Sequence, residues 1–358
     1  MFRRGLSAAV VAAFGVLGLV GCGITRPAAV NALWVQPAPR SALPMMPPAP
    51  GTSGELMLAI GDSFSSGEGA PNSRTEPPSI RVGQLTFVSP VSARAPRYLA
   101  GTDRDGNYCH RSVNAFGPRV ALELSLPLAF VACSGAKITD YWNPNGQYTP
   151  EPAQQDVLTR YGSRASLVTL SMGGNNIGFG DVVSQCLGLK VLDKHGPGSC
   201  VPDIKAAEAK LGLLDDGDRQ QRLPDLYADV RRLAPNARIL VVGYPRLFPA
   251  DPPLHCSVGS LLPLIRPEMV EMNRLVDSLD AIIRRDARAA GLDYVDVSAA
   301  FSGHGACVNS DRDRWVNRLH NPTEQRSRDE TFHPTAAGQQ AFADAVLACY
   351  RDRATCSP

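Results

Sequence analysis

Four short blocks of this 358-residue chain carry side chains that could do chemistry together. "GDSFSSGEG" at 61–69 sets Ser63 directly behind an apolar run. "CSGA" at 133–136 brings Gly135, "GGNN" at 173–176 brings Asn175, and "FHP" at 332–334 brings His333. A serine hydroxyl is a weak nucleophile and needs an adjacent base. Histidine titrates near neutral pH and can take its proton. Acyl transfer then builds a negative oxygen that needs preorganised donors. The N–H groups of Ser63 and Gly135 and the side-chain amide of Asn175 could supply three. Each block alone reads more plainly as a turn, since serine, asparagine and glycine all favour turns. Their order and placement give them weight.

That placement follows from the elements around them. Five short apolar runs have the character of buried strands: 56–60, 128–132, 167–171, 238–242 and 293–297. Helical patterns lie between them, at 114–124, 223–235 and 266–291. In the last of these, Met269, Met272, Leu275, Val276, Leu279 and Ile283 form one stripe. A final helix is expected from 334 to 350, with Pro334 in its first turn. Strands alternating with helices predict a parallel sheet covered on both faces. Ligands in such sheets bind beyond the carboxyl ends of the strands. Three of the four blocks follow a strand immediately, and the fourth precedes the last helix.

The ordered set "GDSFSSGEG", "CSGA", "GGNN" and "FHP" resembles the blocks of the SGNH/GDSL hydrolase family over essentially all of 55–358. The similarity is to its exported actinobacterial lipase/esterase branch, which "YCHRS" at 108–112 and "DRWVN" at 313–317 also resemble. The resemblance implies a three-layer α/β/α domain with a five-stranded parallel, flavodoxin-like sheet of order 2-1-3-4-5. It implies hydrolysis of carboxylic esters through an acyl-enzyme, with no metal and no cofactor. Residue by residue it makes Ser63 the nucleophile, His333 the base, and Ser63, Gly135 and Asn175 the oxyanion hole. The family's last block often reads Asp-x-x-His, whereas Glu330 stands three before His333 here. Either the Glu330 carboxylate or a backbone carbonyl would then orient the imidazole. Asn176 takes the place of a mainly supporting acid. The other histidines, at 110, 195, 255, 304 and 320, have no matching context and are expected in loops or structural roles. Two substrate classes fit the same mechanism: acyl lipids or small acyl esters, and O-acetylated carbohydrate of the cell envelope. A non-catalytic envelope lipoprotein that kept the fold is the reading from another class. The 244–266 segment is read either as part of an acyl-chain wall or as an insertion stapled by Cys256.

The ends and the cysteines speak to location. "MFRR" followed by "LSAAVVAAFGVLGLVG" has the form of an export signal. It ends at "LVGC", similar to a bacterial lipobox, so residues 1–21 are expected to be removed and Cys22 lipidated. A signal cut elsewhere, an uncleaved anchor and twin-arginine export are the alternatives. Residues 22–54, rich in Pro and Ala, read as a tether and 55–358 as one domain. The product is expected to be a monomer, held outside the cytoplasmic membrane or secreted. The formal charge of +2 is the contribution of Arg3 and Arg4, and no basic run suggests a nucleic-acid partner. Beyond Cys22, eight cysteines remain, an even set that suits disulfides in an exported chain. Spacing does not fix their connectivity. Pairing in sequence order (109–133, 186–200, 256–307, 349–356) closes short loops and is the expectation.

Overall fold

A computed structural model describes residues 54–72, 79–82, 85–88, 97–103, 106–145, 151–188, 199–259, 263–320 and 323–357. The expected signal segment, Cys22 and all of the tether but Gly54 lie outside the described residues, as does His195.

Five strands make one parallel sheet: β1 (Leu56–Gly61), β2 (Leu128–Phe130), β3 (Ala165–Ser171), β4 (Arg238–Val242) and β5 (Asp293–Val295). Their spatial order is β2-β1-β3-β4-β5, with every pair parallel. All six residues of β1 are buried, which is why it reads as an unbroken apolar run rather than an alternating one. β2 and β5 stop two residues before their apolar runs do. After β2 the ladder turns irregular: the N–H groups of Val131 and Ala132 both donate to the Ala59 carbonyl, and Cys133 N then donates to Gly61 O. This extra residue swings 133–136 onto the rim beside Ser63.

The helices that matter to the site are α1 (Ser63–Ser66), α2 (Phe116–Glu123), α3 (Gln155–Tyr161), α4 (Phe179–Cys186), α5 (Val201–Glu208), α6 (Leu223–Leu233), α7 (Arg266–Ala289), α8 (Gln325–Glu330) and α9 (Ala336–Arg351). α2 packs against α9, while α7 packs against α5 and α6, giving the sheet its flanking layers. The stripe on α7 is buried as expected, from Met269 to Ile283. The start of α9 differs from expectation. Thr335 is its N-cap and accepts from Gly338 N at 3.3 Å, so Pro334 precedes the helix instead of opening it. Pro334 instead bridges to Val316, a long-range pairing invisible to helix periodicity. Among the described residues no helix is long and apolar enough to cross a membrane.

The eight cysteines are joined in sequence order, Cys109–Cys133, Cys186–Cys200, Cys256–Cys307 and Cys349–Cys356. Cys109–Cys133 ties the approach to α2 onto the rim after β2. Cys256–Cys307 ties the 244–266 insertion to the loop after β5.

The chain leaves β1 through Gly61, whose φ of +133° few other residues adopt. A Cβ there would lie 2.4 Å from the Ser171 carbonyl. Gly61 is clamped by one amide on both sides: Gly61 N donates to Gln154 Oε1 at 2.7 Å, and Gln154 Nε2 donates to Gly61 O at 2.9 Å. Replacing Gln154 by Leu leaves the buried Gly61 N–H without a partner, at a cost of about 1–3 kcal/mol, while the Gly61 carbonyl keeps its bond from Cys133 N. Gln154→Leu is expected to lower the urea midpoint of unfolding clearly below that of the native chain; an unchanged midpoint would show that the clamp is dispensable.

Candidate active site

Ser63 opens α1, the single turn that follows Gly61. Asp62 caps it, its carboxylate accepting from Phe64 N at 3.0 Å, and Gly67 closes it at φ +89°. The Ser63 side chain therefore projects from the carboxyl end of β1, next to the end of β3. His333 reaches the same place from the loop between α8 and α9. Its Nε2 lies 2.7 Å from Ser63 Oγ. Ser63, Gly135, Asn175 and His333 all border one cavity of about 470 Å³. The four blocks thus converge where the sheet order reverses, between β1 and β3.

Long-range polar contacts hold the blocks in register. Tyr244 accepts from Gly174 N at 3.1 Å and donates to Asp62 Oδ2 at 2.5 Å, linking the first block to the third. Asn175 Nδ2 donates to Ala136 O at 3.0 Å, and Asn176 Oδ1 accepts from Ile138 N at 3.0 Å, so both asparagines brace the second block. Gln339, fully buried, accepts from Phe116 N and donates to Phe64 O. Asn317 Nδ2 donates to both Gly69 O and His333 O, stapling the loop after Ser63 to His333.

Burial pushes the Asp62 carboxyl up to about 7, against the Tyr244 hydroxyl and the Phe64 N–H, which favour its charge. Burial also lowers His333 below the ordinary histidine range. Its Nδ1 is buried without a hydrogen-bond partner among the described residues. The Asp329 and Thr331 backbones favour the charged ring, yet neither makes a well-formed bond to Nδ1. Such bonds are often loose before substrate binds.

The expectation for the Glu330 carboxylate is corrected here. It points away from the imidazole, accepting from Arg97 Nη2 at 2.5 Å and from the Tyr98 hydroxyl at 3.0 Å. A guanidinium outcompetes a neutral ring for a carboxylate, and Arg97 lies outside every motif. Glu330 meets His333 through its backbone, its carbonyl accepting from His333 N at 3.2 Å.

His110 lies in a loop, as expected, and that loop borders the cavity. Its Nδ1 lies 2.6 Å from Oε2 of Glu68, a carboxylate buried to 1% exposure, and Ser134 Oγ donates to the same oxygen at 2.6 Å. Tyr98 stacks on the His110 ring at 4.7 Å. Burial alone would raise Glu68, but His110, His333 and Ser134 together outweigh this and hold the carboxyl low. Burial alone would discharge His110, but Glu68 together with Asp329 and Asp103 raises the imidazole. Among the described residues, three of the four non-glycine residues at positive φ, Tyr108, His110 and Phe332, line the cavity. Such conformations cost about 1–3 kcal/mol each and persist where the surroundings enforce them. Glu68, His110 and Asn317 sit inside "GDSFSSGEG", "YCHRS" and "DRWVN", so the signal was present but carried no role. Among the described residues no group of three or more histidine, cysteine or acidic side chains could hold a metal ion.

The cavity also has an apolar wall: Phe179 and Val183 from α4, Pro245 and Leu247 after β4, Val276 and Leu279 from α7. In the 244–266 segment, Tyr244, Pro245 and Leu247 line the cavity, and Cys256 is joined to Cys307.

Comparison with known proteins agrees with this geometry. The GDSL-like Lipase/Acylhydrolase family model matches residues 59–341. The chain is 29% identical to Lipase 1 of Streptomyces coelicolor over 289 residues, 79% of this chain and 91% of that one. Phospholipase A1 from Streptomyces albidoflavus superimposes with a TM-score of 0.59 at 28% identity, covering 83% of this chain and 99% of that one. The extracellular lipase of Streptomyces rimosus gives 0.58 at 25% identity, covering 82% and 99%. The chain belongs to the GDSL-like lipase/acylhydrolase family. It is a carboxylic ester hydrolase of that family, with the SGNH hydrolase fold.

Because Arg97 holds the Glu330 carboxylate, Glu330→Gln is expected to keep kcat/KM for an ester within about tenfold of the native value. A loss near a thousandfold would return the carboxylate to the imidazole.

Proposed function

We propose that the chain is an exported serine esterase/lipase that hydrolyses carboxylic esters through an acyl-enzyme on Ser63. The observation that carries this is the 2.7 Å contact between Ser63 Oγ and His333 Nε2 at a cavity with donors beside it. His333 takes the Ser63 proton as Oγ attacks the ester carbonyl. The Ser63 and Gly135 N–H groups and the Asn175 amide receive the developing oxyanion. For Asn175 this means sharing or leaving its contact with Ala136 O. His333 then returns the proton to the departing alcohol, and water, activated by the same base, releases the acid. Backbone carbonyls of Asp329 and Thr331 orient the imidazole in place of a side-chain acid.

The apolar wall supports an aliphatic acyl chain rather than acetyl as the preferred group, and so favours acyl lipids or small acyl esters over acetylated carbohydrate. An intact nucleophile and base speak against a merely binding lipoprotein. The leader motif supports export with Cys22 as lipid anchor, the protein working as a monomer at the outer side of the membrane. The S. rimosus relative being an extracellular protein supports export as well.

Turnover of p-nitrophenyl octanoate is expected to exceed that of the acetate in kcat/KM. Ser63→Ala and His333→Ala should each lose at least about a thousandfold in kcat. Burial lowers His333, so the neutral base persists to lower pH and activity is lost only as pH falls through that lowered value. The acid limb of kcat/KM is therefore expected below about pH 6.5, the ordinary histidine value. Unaltered turnover by Ser63→Ala, or an acid limb above neutrality, would overturn the reading.

A further inference from the structure

The base has no side-chain acid at Nδ1, yet a carboxylate is built into the wall beside it. Glu68 follows α1 by two residues, and Gly69 next to it packs directly on His333. A Cβ on Gly69 would fall 2.9 Å from His333 Cβ, and Gly69 holds φ +82°. One Asn317 amide binds the carbonyls of both residues, at 2.8 Å to Gly69 and 3.0 Å to His333. The nucleophile loop therefore cannot drift from the base, and Glu68 lines the same cavity as His333.

The environment keeps Glu68 ionised while buried. His110 and Ser134 both serve Oε2, and Tyr98 OH lies 3.4 Å from Oε1. That hydroxyl has a single proton, and Glu330 is closer to it at 3.0 Å. Glu68 Oε1 is thus left with weak compensation in a site of low dielectric, where an uncompensated charge acts far. Holding it there also costs the left-handed backbone of His110, at φ +48°.

We infer that Glu68 is a positioning residue that acts through His333: its carboxylate, held by His110 and Ser134, stabilises the imidazolium that forms when Ser63 gives up its proton. It does from the flank what a triad acid does at Nδ1. The inference rests on Ser63 and His333 being nucleophile and base. The charged groups around His333 agree with the assignment. Glu68 favours the charged ring, and His110 opposes it less strongly. Asp62, beneath Ser63, is spent on Tyr244 and Phe64 N, and Glu330 on Arg97. Asp329 and Asp103 act on His110, and Arg328 borders the cavity.

The test is the pH profile of kcat/KM for a p-nitrophenyl ester with the full chain, Glu68→Gln and Glu68→Asp. Without the anion the imidazole loses its proton more readily. For Glu68→Gln the acid limb should move to lower pH by about half a unit or more, and the plateau should fall about tenfold. Glu68→Asp, one methylene shorter, should lie between. If Glu68→Gln does not melt cooperatively, Glu68→Asp alone decides, and its limb must lie below the native one. An acid limb unmoved in the folded variant, whatever the fall in rate, reduces Glu68 to a structural residue and overturns the inference. A native chain that turns over no ester fails the function itself; a native chain that is active beside an unmoved limb fails only this inference.

Discussion

Everything that makes Ser63 usable hangs on the turn at Gly61. A central parallel strand must end, and the N–H of its last residue would be left unpaired in the core. One buried amide, Gln154, accepts from that N–H and also donates to the Gly61 carbonyl, which Cys133 N shares. With Gly61 fixed, Asp62 can cap a single helical turn, and the Ser63 side chain emerges at the carboxyl edge of the sheet. The glycine is required because the Ser171 carbonyl of β3 occupies the space of a Cβ. Close approach of β1 and β3 and placement of Ser63 on the cavity are one constraint seen from two sides.

The same solution recurs around the site. Gln339 bridges Phe64 to the start of α2, and Asn317 bridges Gly69 to His333. Tyr244 bridges Asp62 to Gly174. Each is a buried polar group with both sides satisfied, which makes it rigid, whereas one missing partner would cost a full desolvation penalty. The four blocks are therefore tied to one another by a few bifunctional side chains as well as by apolar packing. The disulfide Cys109–Cys133 adds a covalent tie where His110 and Ser134 flank Glu68. Strained residues such as Phe332, at φ +62° just before His333, are tolerated because this frame fixes them; its ring is packed edge-on against Phe248.

What could be read from sequence was what is local. The strand runs, the glycines beside them and the four blocks each occupy a few consecutive residues, and the sheet order followed from resemblance. Partner choice was not legible, because it depends on approach across the fold. Gln154 is 93 residues from Gly61, and Gln339 is 275 from Phe64. Glu330 has the spacing of a triad acid, but Arg97 decides where its carboxylate points. His110 looked isolated until Glu68, 42 residues earlier, came within 2.6 Å. Strands β2 and β5 were read too long because an apolar residue on the rim resembles one in the ladder. Pro334 was placed inside a helix because its bridge to Val316 leaves no trace in periodicity.

The central claim is that Ser63 is the atom-bearing nucleophile and His333 its activator. Incubation with a fluorophosphonate, followed by intact mass and peptide mapping, tests it directly. One adduct on Ser63 is predicted in the native chain, forming at least about a hundredfold more slowly in His333→Ala. An adduct on another residue, or none from a preparation that still hydrolyses esters, would contradict it.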